Sequence, residues 1–303
     1  MASIWKLGGL TPLKLTQLGI KKIDEDELST RSAALSYYFI LALFPMFLFL
    51  VSLIGLIAGS GSQMGDKIMA TLGNLAPGSA SGVVQQVIHQ TVKNSGGVKL
   101  AAGILGALWA ASGGMSAIVT SLNVIYRAKE TRPLWKQKLT VVALTLALAL
   151  LILVASALVL YGESIGQLIA MRVGVGKLFW IAWRIVQWPM TFLAMFLSFS
   201  IIYYFAPDLK ERRWYWVTPG SAVGVLLWLV ASVGFRIYLH FFDSYSATYG
   251  SLGAVIILML WLYITGFAIL VGGEVNWVIE NQDRTETAFE EEKRRVEAQW
   301  KAA

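Results

Sequence analysis

Apolar residues run for long stretches of this chain without a single charge. No Asp, Glu, Lys or Arg occurs in 32–65, 100–126, 139–162, 185–207, 214–235 or 244–273. Each run exceeds the ~18–20 residues that carry a helix across the hydrocarbon of a bilayer. Leu, Ala, Val and Ile dominate, without the two-residue alternation of a membrane barrel strand. In hydrocarbon every backbone N–H and C=O must be satisfied within the protein, so apolar runs of this length fold as helices. The pattern predicts an all-α integral membrane protein, a six-transmembrane-helix bundle over 32–280.

The polar segments complete the organisation. Residues 1–31 contain Ile4-Trp5-Lys6-Leu7 and Leu18-Gly19-Ile20-Lys21-Lys22, an amphipathic N-terminal segment. It reads either as a helix lying on the membrane surface or as a solvated tail. The first outer loop, 60–98, is broken by Pro77-Gly78, and Val83, Val84, Val87, Ile88 and Val92 recur at helical spacing. Two short external helices are expected there. Residues 281–303 pair Glu290 with Arg294 and Glu291 with Arg295, four apart, and predict a helical C-terminal tail. Pro45 should kink the first span. Gly55/Gly59, Gly162/Gly166 and Gly220/Gly224 are small-residue pairs suited to close helix packing inside the bundle.

Charge then orients the bundle. Eighteen of the 25 basic residues fall in the N-terminal segment, the 2–3 and 4–5 connections and the C-terminal tail. Cationic segments resist translocation, so this side and both termini are expected in the cytoplasm. The net charge of +7 is accounted for by insertion and by contact with anionic membrane lipids, so no nucleic-acid partner is expected. Trp135, Trp180, Trp183, Trp214, Tyr215, Trp216 and Trp277 stand near span ends, where such rings anchor helices.

Candidate chemistry is sparse. Cysteine is absent, which removes disulfides and thiolate sites, and the two histidines, His89 and His240, have no carboxylate cluster beside them. No phosphate-binding loop, dinucleotide fingerprint or nucleophile elbow is present. No cofactor, no metal and no enzymatic activity are therefore expected. Charges at membrane depth are costly and tend to carry function or to pair. Glu274 follows Gly272-Gly273 at the inner end of the last span. It reads as a snorkelling carboxylate or as a site for a proton or headgroup. Arg236 and Asp243 flank the outer end of the fifth span, as an ion pair or as substrate contacts, and Glu163 ends the third. The hydroxyl- and glycine-rich stretch 243–253, with Tyr249, would line a wet cavity or simply form a turn.

Three segments together resemble the YihY/BrkB family of bacterial inner-membrane proteins. They are Ser32-Ala33-Ala34-Leu35-Ser36-Tyr37-Tyr38 with Leu43-Phe44-Pro45; Ser121-Leu122-Asn123-Val124-Ile125-Tyr126-Arg127 with Glu130-Thr131-Arg132-Pro133-Leu134-Trp135; and Tyr245 through Val255 with Leu260-Trp261-Leu262-Tyr263 and Gly273-Glu274-Val275-Asn276. The resemblance implies a six-span protein of the bacterial inner membrane, in a family linked to serum resistance and to export of envelope lipids. It adds Asn123 and Arg127 to a candidate substrate pathway of Glu274, Arg236, Asp243 and Tyr249. The family also carries a "ribonuclease BN" label, for which this sequence offers no nuclease metal site. The expected function is a secondary transporter or flippase for an amphiphilic, anionic lipid or envelope precursor. A non-transporting scaffold for envelope-assembly proteins is the alternative. The oligomeric state is left open.

Overall fold

The computed structural model describes residues 4–58, 97–173, 177–210, 214–241 and 251–281, and the regular structure among them is helical. A 3-10 turn at Ile4–Gly9 leads into α1 (Pro12–Glu25). Then come α2 (Leu28–Ala58), α3 (Gly97–Ile125), α4 (Leu134–Val173), α5 (Lys177–Phe205), α6 (Pro219–Phe241) and α7 (Ser251–Glu280). Five stretches among the described residues are long and apolar enough to cross a bilayer: Leu105–Ile125, Leu134–Val159, Ala182–Phe205, Pro219–Leu239 and Val255–Glu280. The chain is an all-α protein with several membrane-spanning helices. The external helices expected within 60–98 and the helical tail expected from 281 lie outside the described residues, apart from their first and last few positions.

Helix α1 starts on sound local chemistry. Thr11 caps it, its hydroxyl accepting from the Lys14 N–H at 3.3 Å, and Pro12 occupies the first turn. The helix is amphipathic, and its inward face is taken by protein. Leu10 and Leu18 are buried against Val278 of α7, while Leu13 and Ile20 stand exposed. Helix α2 begins at Leu28, before the charge-free run at 32, and continues past Pro45. Helix α4 outruns its apolar segment more strongly, spanning 40 residues where the charge-free run covers 139–162. Glu163, expected to end this span, lies within the helix. The physical reason is plain: absence of charge marks hydrocarbon, whereas backbone hydrogen bonds continue equally well in water.

The bundle is held by α2 against α3 and α7, by α7 against α6, and by the α4–α5 hairpin. Its core joins Leu35 of α2, Leu122 of α3, Val141 of α4, Tyr203 of α5 and Leu270 of α7. Glycines set two of the closest crossings. A Cβ on Gly220 would collide with the Gly272 carbonyl, and one on Gly224 would press on Phe199 and the Ala268 carbonyl. Gly162 and Gly166 sit beneath Gln187 and Trp183, whose indole donates to the Gly162 carbonyl at 2.6 Å. Two of the three small-residue pairs thus serve internal packing as expected; Gly59 of the third is outside the described residues.

Candidate functional site

One end of the bundle gathers the start of α2, α4 and α6, the end of α3, α5 and α7, and all of α1. Glu274 lies there, nearly two turns before the end of α7. Its side chain is only 1% exposed. The Gly272-Gly273 step thins α7 just before it. A Cβ on Gly272 would strike the Tyr203 hydroxyl and one on Gly273 would press on Leu122, so only glycine lets α3 and α5 close over this point. The Tyr203 hydroxyl donates to the Ile269 carbonyl at 2.8 Å.

The carboxyl of Asp26 lies within hydrogen-bonding reach of Glu274, and the Lys22 and Arg127 cations act on it. Asp26 is the C-terminal cap residue of α1 and is itself 3% exposed. Its Oδ1 accepts from Arg127 Nη1 at 2.8 Å, and its backbone carbonyl accepts from Arg31 Nε at 2.8 Å. Its Oδ2 and both carboxyl oxygens of Glu274 are buried with no hydrogen-bond partner among the described residues. Two ionised carboxylates offer only acceptors, so neither can bond the other until one carries a proton. Buried polar atoms without partners are rare, because each forfeits its hydration. Three at one spot single out this pair.

Arg127 is held there by the way α3 ends. The Ala128 N–H bonds back to the Asn123 carbonyl at 2.8 Å and the Arg127 N–H to the Val124 carbonyl at 3.0 Å. That is a Schellman termination, whose left-handed position usually falls to glycine. Here arginine takes it, at φ 52. The guanidinium bonds Asp26 and lies over the Trp277 ring, 5.6 Å from its centre; the Lys22 ammonium lies 5.3 Å from that centre. Lys22 also pairs with Glu25.

Two hydrogen-bonded clusters brace this end. Asn276 accepts from the Gly220 N–H at 2.8 Å and donates to Thr218 Oγ1 at 3.0 Å, pinning the start of α6 to α7. Thr218 and Ser221 cap α6 reciprocally, at 2.9 Å each. The other cluster is a clasp between the α3–α4 loop and the end of α5. Asn123 donates to Glu130 at 2.9 Å and accepts from the Asp208 N–H at 2.8 Å. Arg132 bonds both Glu130 oxygens at 2.7 Å and reaches the Phe205 and Ala206 carbonyls at 3.3 and 3.0 Å. Hydrogen bonding from Arg132 holds the Glu130 carboxyl below its usual range, and Glu130 raises Arg132 in turn.

Of the residues singled out from sequence, Glu274, Arg127 and Asn123 come to this end together. Glu274 is enclosed, so the snorkelling reading fails. Asn123 commits both ends of its amide to the clasp. Arg236 is exposed on α6, about 24 Å along the helix from Gly220 at 1.5 Å per residue, and shares no site with Glu274. Asp243 and Tyr249, and with them the expected Arg236–Asp243 pair, lie outside the described residues. Asp26 and Lys22 were not legible as site residues. They belong to the charged run 21–27, which has the appearance of a solvated face.

The family described as virulence factor BrkB matches residues 20–297. The chain belongs to the BrkB family. All the groups above, from Lys22 to Trp277, fall within the matched BrkB region. The chain is 38% identical over 255 residues to the putative ribonuclease-like protein YfkH of Bacillus subtilis, covering 84% of this chain and 91% of that one. It is 29% identical over 272 residues to a UPF0761 membrane protein of Aliivibrio salmonicida, covering 87% and 82%. A UPF0761 membrane protein of Pseudoalteromonas atlantica is 26% identical over 267 residues, covering 86% and 84%. No solved structure matches this BrkB-family chain.

Proposed function

We propose that this BrkB-family protein is a proton-coupled secondary transporter or flippase of the bacterial inner membrane, moving an amphiphilic, anionic lipid or envelope precursor. In this reading α2 completes a six-span bundle, both termini are cytoplasmic, and the end that holds Glu274 faces the cytoplasm. The observation that carries the proposal is the enclosed carboxyl of Glu274 against Asp26, without a hydrogen-bond partner among the described residues. A carboxyl in that setting has one simple way to satisfy its oxygens, which is to gain a proton and donate it to its neighbour. Gain and loss of that proton would couple the transmembrane proton gradient to movement of the helices around it. The substrate headgroup would pass a groove that includes Arg236 while its acyl chains stay in lipid.

The reading gives the protein no catalysis. A nuclease of the metal-dependent kind gathers several carboxylate or imidazole ligands, and no group of three or more His, Cys, Asp or Glu fit for a metal occurs among the described residues. A scaffold for envelope-assembly proteins is the second reading, favoured by the exposed Trp5, Leu13 and Ile20 of the N-terminal segment.

The test is translocation of fluorescent lipids in proteoliposomes under a proton gradient, with anionic and zwitterionic headgroups and empty vesicles as control. The wild type should move an anionic lipid faster than the control. Glu274→Gln should lose the dependence on the gradient and Arg236→Ala should slow anionic headgroups selectively. Wild-type translocation no faster than empty vesicles for every headgroup would overturn the transporter reading.

A further inference from the structure

We propose that the Asp26 and Glu274 carboxyls form one proton site shared by two elements, and that its proton latches α1 onto the end of α7. The inference deepens the transporter reading, from which it takes only the purpose of the latch.

The geometry carries it. Asp26 ends α1 and Glu274 belongs to α7, so any bond between them is a bond between helices. Three of their four oxygens are buried and unpartnered among the described residues. Among the described residues, the charged and titratable groups around the pair come from several elements. From α1 comes Lys22, already paired with Glu25. The end of α3 brings Arg127, which serves Asp26 Oδ1, and Tyr126, whose hydroxyl is bonded by Asn276. From α2, Arg31 bonds the Asp26 backbone carbonyl. From α5, Tyr203 gives its proton to a backbone carbonyl. From the start of α6, among the described residues, come its capping Thr218 and Gly220, neither of which titrates. Glu280 of α7 acts on Tyr126. Among the described residues no donor is bonded to either Glu274 oxygen, and a proton on the pair would bond the two helices to each other.

Without it, two like charges meet across the α1–α7 contact, where the water that would screen them is excluded. The attachment of α1 is narrow. Its apolar contact with α7 is the cluster of Leu10, Leu18 and Val278, with Leu15 and Trp277 packed against it, and Ile23 packs on the main core. The Arg127–Asp26 pair, the Arg31 bond to the Asp26 carbonyl and the Lys22 ammonium over Trp277 are its polar contacts. Loss of the proton therefore frees α1 and opens Glu274 to the aqueous side, and return of the proton closes it. The device is a gate worked by the coupling ion itself.

The chain has no cysteine, so introduced thiols are unique. Leu18→Cys puts a thiol in the buried contact, and Leu13→Cys puts one on the exposed face of the same helix as reference. The readout is the maleimide labelling rate at position 18 divided by that at 13, in the full chain in membranes, from about pH 5 to about pH 9. The ratio should rise roughly tenfold with pH, an ordinary coupling between two binding events. Glu274→Gln supplies a permanent donor to Asp26, so the ratio should stay low and flat. Asp26→Asn supplies the reciprocal donor and should flatten the ratio too, and it carries the comparison if Glu274→Gln fails to fold. A flat ratio in the wild type, or an unchanged rise in both variants, overturns the latch. Flat labelling together with lipid translocation overturns the latch alone; the expected labelling without translocation overturns the transporter reading alone.

Discussion

Arg127 concentrates opposing demands in one residue. Its backbone occupies the left-handed region that glycine would hold without strain, while its side chain serves the buried carboxylate of Asp26. Glycine here would recover about 1 kcal/mol of backbone strain. It would also strip a buried carboxylate of its partner, a loss of about 3–5 kcal/mol in a fully enclosed pair and less here because Arg127 is half-exposed. Arg127→Gly should therefore lower stability by roughly 1–2 kcal/mol, read as a drop in melting temperature in detergent. Adding Asp26→Asn should return most of it, because the two residues form one interaction. Glu130 offers a test by acidity. Arg132 lowers its carboxyl in the folded state, so the pair's stabilisation is complete above the usual carboxylate range and fades as pH falls through the lowered value. Melting profiles should lose that acid-side slope in Glu130→Gln. A slope that persists would place its origin in other carboxylates.

Between elements, glycines decide how near helices come. Gly272→Ala would drive a methyl into the Tyr203 hydroxyl and the Gly220 carbonyl, neither free to retreat. It should cost at least about 2 kcal/mol. Gly113 of α3 meets nothing within 4 Å, and Gly113→Ala should be neutral or stabilising by up to about 1 kcal/mol through helix propensity. Parallel thermal melts of the two variants would show whether the α6–α7 crossing depends on backbone contact. This is also the scale at which sequence reading succeeded and failed. Five of the expected spans were legible because hydrocarbon forbids charge over a fixed length, and two of the glycine pairs because spacing alone places them on one helix face. The ends of α4 were not, since nothing in a water-exposed helix forbids charge. Glu274 stood out as a charge at membrane depth. Its partner did not, since Asp26 sits 248 positions earlier in a run of acidic and basic residues and only the packing of Leu18 on Val278 carries it inward. The clasp of Asn123, Glu130, Arg132 and Asp208 likewise depends on the end of α5 meeting the α3–α4 loop.

For the whole molecule the charge pattern makes a claim that thiol chemistry can check. With both termini cytoplasmic, a cysteine at Leu13 or Leu134, both exposed, should react with an impermeant reagent in inverted vesicles and resist it in intact cells. Reaction in intact cells would invert the topology. Helix α4 adds an asymmetry of a different kind. Its charge-free run closes at Gly162, yet the helix runs on to Val173, eleven residues or about 16 Å further at 1.5 Å each. The end of α4 is therefore expected to reach beyond the hydrocarbon on the side opposite α1. For electron microscopy, a bundle this small ordinarily vanishes into its detergent belt and offers nothing by which one view can be told from another. A ridge of helix rising clear of the belt would supply a fiducial built into the protein.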